Sequence, residues 1–133
     1  MALVGKLVDT LIGTPVALPP AIVRDFPMLA AVRFRRGGLP PRVGGWLLLR
    51  DTAAAVTLWN TVWLAPRAPF AAELLLHELR HVHQFQASPG FPFRYLWESI
   101  RRGYSRNRFE VDARQYAADM LRPPDLELPG KDS

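Results

Sequence analysis

The sequence predicts an α+β fold: a small, mostly antiparallel sheet packed on helices. Three observations lead there. β-Branched and aromatic residues concentrate in WLLLRDTAAAVTLWNTVWLAP, residues 46–66. Beyond Pro69 the apolar residues switch to helical spacing and keep it through three segments. Prolines and glycines punctuate the boundaries, at GGLPPRVGG (37–45), at SPGFP (88–92) and at Pro123–Pro124. A chain of 133 residues, 49% hydrophobic and 22% charged, reads as one globular domain able to bury a core.

Taken in order, MALVGKLVDTLIGTPVA resembles a signal peptide only in outline. Asp9 interrupts its apolar run and Lys6 is its only basic side chain before that point. It reads instead as an amphipathic helix with Leu3, Leu7 and Leu11 on one face, followed by a proline-rich arm to residue 20. Residues 21–31 are ambiguous, a helical turn ending near Pro27. Residues 37–45 connect to strands at 46–51 and 55–66, with Asp51 and Thr52 in the turn between them. The sheet should hold two to four strands. Period-two alternation puts Trp59 and Trp63 on one sheet face, where packing onto the helices is the first expectation. Helices follow at 70–86, 93–102 and 108–121, and 122–133 forms a C-terminal tail.

Composition narrows the chemistry. There is no cysteine, which excludes disulfides, thiolate zinc sites and cysteine nucleophiles. A transition-metal site would have to use imidazole and carboxylate. The net charge is +5, almost all from arginine, with much of it between Arg94 and Arg122. Such a surface suits nucleic acid, anionic lipid or an acidic protein. Nucleic acid is disfavoured, because the aromatic–basic interleaving of a single-strand binder is missing. No stretch is long and apolar enough to span a bilayer, and a cytoplasmic location is the expectation.

All three histidines lie in LLLHELRHVHQF, residues 74–85. His77, Glu78 and His81 match H-E-x-x-H. Residues four apart on a helix stand one turn apart on the same face, so two imidazoles can reach one zinc ion. Glu78 is then placed to act on water as a general base. Leu74, Leu75, Leu76, Leu79, Val82 and Phe85 supply an apolar surround. His83 lies about 200° round the helix from His81 and should not share the metal. A catalytic zinc takes three protein ligands and an open position. The longer H-E-x-x-H-x-x-G-x-x-H pattern fails, since Gln84 and Ala87 occupy its last two fixed positions. The third ligand must be a downstream carboxylate, drawn from Glu98, Glu110, Asp112, Asp119, Asp125 and Glu127.

HELRH followed by FEVDARQYAADML resembles the gluzincin type of zinc metallopeptidase, in which a later helix bears a glutamate ligand in a pattern like E-x-x-A. Glu110 with Ala113 fits that pattern. The run from Glu110 to Pro123 is similar to the last helix of small domains of the ImmA/IrrE type. HELRHVHQF is similar to small bacterial H-E-L-x-H-V-x-Q domains, and SRNRFEVDA to a stretch of the membrane-linked HtpX-type peptidases, without their membrane helices. The resemblance covers roughly residues 55–121. It implies a zincin-like fold with zinc on His77, His81 and Glu110, Glu78 as general base, and a peptide or protein substrate. Thermolysin-like members carry an aspartate four residues after the glutamate ligand, as partner to a ligand histidine. Arg114 stands there instead, so Asp112 or a backbone carbonyl would have to serve. Tyr104, Tyr116, His83 and nearby arginines are the candidates for stabilising an oxyanion, each tyrosine being first expected as a packing residue. The alternative is a zincin-like binding or regulatory domain, weakly active or inactive, that recognises one protein partner.

Overall fold

The computed structural model describes residues 2–40 and 54–123. Helix α1 (Ala2–Ile12) leads into the short strand β1 (Thr14–Pro15). Helix α2 (Pro20–Asp25) and a 3-10 turn (Pro27–Ala31) follow, then strand β2 (Arg33–Arg36). Strands β3 (Ala55–Leu58) and β4 (Thr61–Leu64) form a hairpin. Three helices complete the described chain: α3 (Ala72–Ala87), α4 (Phe91–Arg102) and α5 (Arg108–Leu121). The class is α+β.

The sheet is mixed, in the order β1-β2-β4-β3. β1 with β2 and β3 with β4 are antiparallel, while β2 and β4 run parallel with Phe34 opposite Val62. Strand β2 is absent from the sequence reading. It is four residues long and three of them are arginines, so its single buried apolar residue, Phe34, gives too little alternation to register. The expected strand at 55–66 is two strands. Trp59 and Asn60 form the turn between them, with Trp59 at a φ of 54°. Trp59 and Trp63 therefore do not share a sheet face: one sits in the turn and the other within β4. A positive φ is costly for a bulky side chain. Here the Trp59 ring lies 6.0 Å from that of Phe85 on α3. The expected strand at 46–51, its turn, most of the 37–45 connection and most of the tail fall outside the described residues.

One face of the sheet buries Phe34, Val62 and Leu64 against Leu75, Leu76, Leu79 and Val82 of α3. Fully burying each such side chain stabilises the fold by about 1.5–3 kcal/mol. Pro66 and Pro69 lie ahead of α3, and the helix begins at Ala72 rather than 70. α4 begins at Phe91 rather than 93, because proline is well tolerated in a first helical turn, where Pro92 lies. α5 packs along α3 through Ala113 and Ala117, both essentially inaccessible to solvent. Small side chains one turn apart let the two helices approach closely.

Polar contacts pin the ends. α1 stops at Gly13, whose φ is +70°; a Cβ there would stand 2.6 Å from the Arg36 carbonyl oxygen. Arg35 and Trp63 donate to the Ile12 carbonyl, at 2.7 and 2.8 Å. Asn107 is fully buried and caps α5, its Oδ1 accepting from the Phe109 amide at 2.9 Å. The same side chain donates to the Tyr95 carbonyl at 3.1 Å and to Ser99 Oγ at 2.9 Å, fastening α4 to the start of α5. Replacing Asn107 by alanine removes a cap and strands buried acceptors, so unfolding free energy should fall by about 2–4 kcal/mol. Urea denaturation measures this; a loss below about 0.5 kcal/mol would show that the cap is not structural.

Candidate metal centre

α3 presents His77 and His81 one turn apart, and their rings meet edge to face at 4.9 Å. One ligating atom from each of His77, Glu78 and His81 lies within 4.8 Å of the others. From the facing helix comes Glu110. Its Oε2 is 2.9 Å from His77 Nε2 and its Oε1 is 2.9 Å from His81 Nε2. Both imidazoles thus turn the same nitrogen toward one buried carboxylate. Among the downstream acids, Glu110 alone has this position in the described chain. Glu98 is buried elsewhere, 3.4 Å from Arg102 and 3.7 Å from Arg108, and Asp112 pairs with Arg80 at 2.7 Å. Asp119 bonds Gln115 and Arg122, and Asp125 and Glu127 lie outside the described residues.

The tautomer of His81 follows from its neighbour. Gln84 Nε2 lies 3.0 Å from the Phe109 carbonyl and 3.0 Å from Asp112 Oδ2, both acceptors. That fixes which end of the amide is nitrogen. The Gln84 oxygen must then face His81 Nδ1, which it does at 2.7 Å. Nδ1 carries the hydrogen, and in the neutral ring Nε2 keeps the lone pair. Gln84 fills the orienting position for which the sequence offered Asp112 or a carbonyl. Asp112 stands one step behind it, held in turn by Arg80. This arrangement fixes the plane of the His81 ring, the kind of support a ligand histidine receives.

Two residues missed in the sequence complete the surround. Tyr95, on α4, donates its hydroxyl to Glu110 Oε1 at 2.8 Å. Thr57, on β3, donates to Glu78 Oε2 at 2.7 Å, so the sheet edge orients the carboxylate assigned as base. Neither had a motif to announce it. Of the expected residues, Tyr116 packs its ring on His83 at 5.6 Å and under the Arg80 guanidinium. Tyr104 lies in the turn between α4 and α5, where its carbonyl accepts from Asn107. His83 stays away from Glu110; burial and the Arg80 charge hold its pKa below the usual histidine value.

Burial opposes charge on Glu110, but hydrogen bonds from His77 and His81 outweigh it and hold the carboxyl well below its usual range. Burial likewise opposes protonation of His81. The Glu110 hydrogen bond, with the charges of Glu78 and Glu110, prevails and raises its pKa to about 9. Burial, then the Glu110 charge, pushes Tyr95 far up, so its hydroxyl stays a donor. The Arg80 hydrogen bond holds Asp112 down.

No family model matches this chain, and neither a curated protein nor a solved structure does. The donor set must speak for itself. Two imidazoles and one carboxylate are a donor set that suits zinc, and the chain has no cysteine to offer a thiolate instead. His77, His81 and Glu110 would hold it.

Two outcomes are expected. Gln84→Leu should weaken zinc binding about 10–100-fold, because the ring loses its orienting acceptor; competition with a fluorescent chelator reads it, and unchanged affinity would remove Gln84 from the site. In chelator-treated protein, His81 has a folded pKa raised from 6.5 to about 9. Its stabilisation is fully present below pH 6.5 and disappears as pH rises through about 9. Glu110 is depressed from 4.5, so its contribution is present above that value and fades as pH falls through its lowered pKa. Thermal stability of the chelated chain should peak between 4.5 and 6.5 and decline toward pH 9; a flat profile across pH 6.5–9 would contradict the His81–Glu110 pairing.

Proposed function

We propose that the chain is a zincin-like, zinc-dependent metallopeptidase that hydrolyses peptide bonds. The observation that carries this reading is the convergence of the His77 and His81 Nε2 atoms on Glu110, with Glu78 buried alongside. Bound there, zinc would supply Lewis acidity toward a substrate carbonyl and toward water. The chain's own groups account for the proton. Glu78 takes it from water as the nucleophile forms and passes it to the departing amine nitrogen. Thr57 holds Glu78 by Oε2, leaving Oε1 to receive that proton.

Orientation is the task of the remaining residues. Gln84 sets the plane of His81. Tyr95 donates to Glu110 Oε1 and so fixes the orientation of that carboxylate. The substrate would be a peptide or protein, and β3, the last strand of the sheet on that side among the described residues, lies beside α3, where an extended chain could align.

Glu78→Gln keeps the size of the side chain and removes the base. The variant should retain near-stoichiometric zinc while cleavage of a peptide library, followed by mass spectrometry of new termini, falls by at least about 100-fold. Equal cleavage by both proteins would mean that Glu78 is not the base. Metal analysis showing no zinc or similar divalent ion in the purified parent would end the metal reading altogether.

A further inference from the structure

α4 is amphipathic in an unusual sense. Its inner side places Phe91, Tyr95 and Glu98 against the body of the protein. Its outer side carries Phe93, Leu96, Trp97 and Ile100, at the i, i+3, i+4, i+7 spacing of one helical stripe. These are far from incidental exposures: Phe93 is 80% and Ile100 69% accessible. Arg94 and Arg101 flank the stripe on one side, and the Arg101 guanidinium lies 5.9 Å from the Trp97 ring. The only acid on the helix, Glu98, is buried and already shared by Arg102 and Arg108.

We infer that the outer face of α4 docks on an anionic membrane surface, with Phe93, Leu96, Trp97 and Ile100 entering the interface and Arg94 and Arg101 meeting lipid phosphates. An exposed stripe of apolar and aromatic side chains with arginines at its boundary is the pattern by which a helix meets a bilayer interface. Charge decides between lipid and a second copy. An antiparallel two-fold contact of α4 on α4 would bring both sets of arginines together, and in either direction α4 exposes no carboxylate to offset them. A bare polyanion would satisfy the arginines but leave the stripe in water. An anionic bilayer satisfies both. No helix of the described chain is long and apolar enough to cross a membrane. The surface is separate from the metal ligands and does not depend on whether they support catalysis.

The test is sedimentation of the zinc-loaded full chain with vesicles. Vesicles of phosphatidylcholine mixed with phosphatidylglycerol should carry it to the pellet; phosphatidylcholine alone should not. Two variants address the two parts of the surface, Phe93→Ser/Trp97→Ser and Arg94→Glu/Arg101→Glu. All four positions are exposed, so both proteins should keep their zinc content and thermal melt. Each should partition at least about tenfold less into the mixed vesicles. The inference is overturned if the parent stays in the supernatant with the mixed vesicles. Pelleting as strongly with neutral vesicles, or a variant that pellets like the parent, overturns it too. So does a dimer in sedimentation velocity that the same substitutions dissolve, which would assign the face to a second copy.

Discussion

The centre of this molecule is a buried negative charge. Glu110 gives up water on entering the interface between α3 and α5, a cost of several kcal/mol for an isolated ion. Three donors offset it: His77, His81 and the Tyr95 hydroxyl. They come from two different helices, and the carboxylate itself from a third. The relative placement of α3, α4 and α5 is therefore set as much by one charge as by apolar packing. Asn107 serves the same end. By capping α5 and gripping the Tyr95 carbonyl it brings Glu110 and Tyr95 to the same place.

Around that charge the α3–α5 interface divides in two. Ala113 and Ala117 form its dry part, where close approach gains dispersion and apolar burial. The other part is a polar chain from Arg80 through Asp112 and Gln84 to His81. A chain of this kind adds little net stability, since each bond replaces one to water. What it adds is definition: one amide orientation, one imidazole tautomer, one ring plane. Thr57 extends the pattern into the sheet, because β3 reaches Glu78 while the rest of the sheet packs on the leucines of α3.

Legibility in the sequence varied with the length of the signal. α5 begins and ends at the positions read from its spacing, and α3 within two residues of them, because both helices carry several turns of consistent pattern. H-E-x-x-H was legible because both histidines lie on one helix, where spacing is geometry. Glu110 was not legible from spacing alone. Its meeting with α3 is a tertiary fact, and only the resemblance singled it out from five other acids. Tyr95 and Thr57 left no trace, since a single hydroxyl has no periodicity. β2 was lost among arginines, and the turn at Trp59 was hidden because a tryptophan with positive φ reads as strand.

α4 departs from a general rule of helix packing. Amphipathicity tells which residues share a face, and the usual step is to turn the apolar face inward. On α4 that step is wrong. Phe93, Leu96, Trp97 and Ile100 point out, while a glutamate and a tyrosine point in. The reason lies in what the interior asks for at that place. The centre next to α4 is a carboxylate needing a donor, and Tyr95 supplies one where a leucine could not. Once Tyr95 is inside, the helix can turn only one way. The apolar stripe, nearly opposite on the wheel, is carried to the surface. The inward face is set by the chemistry of the site, and the outward face is left for whatever the molecule meets.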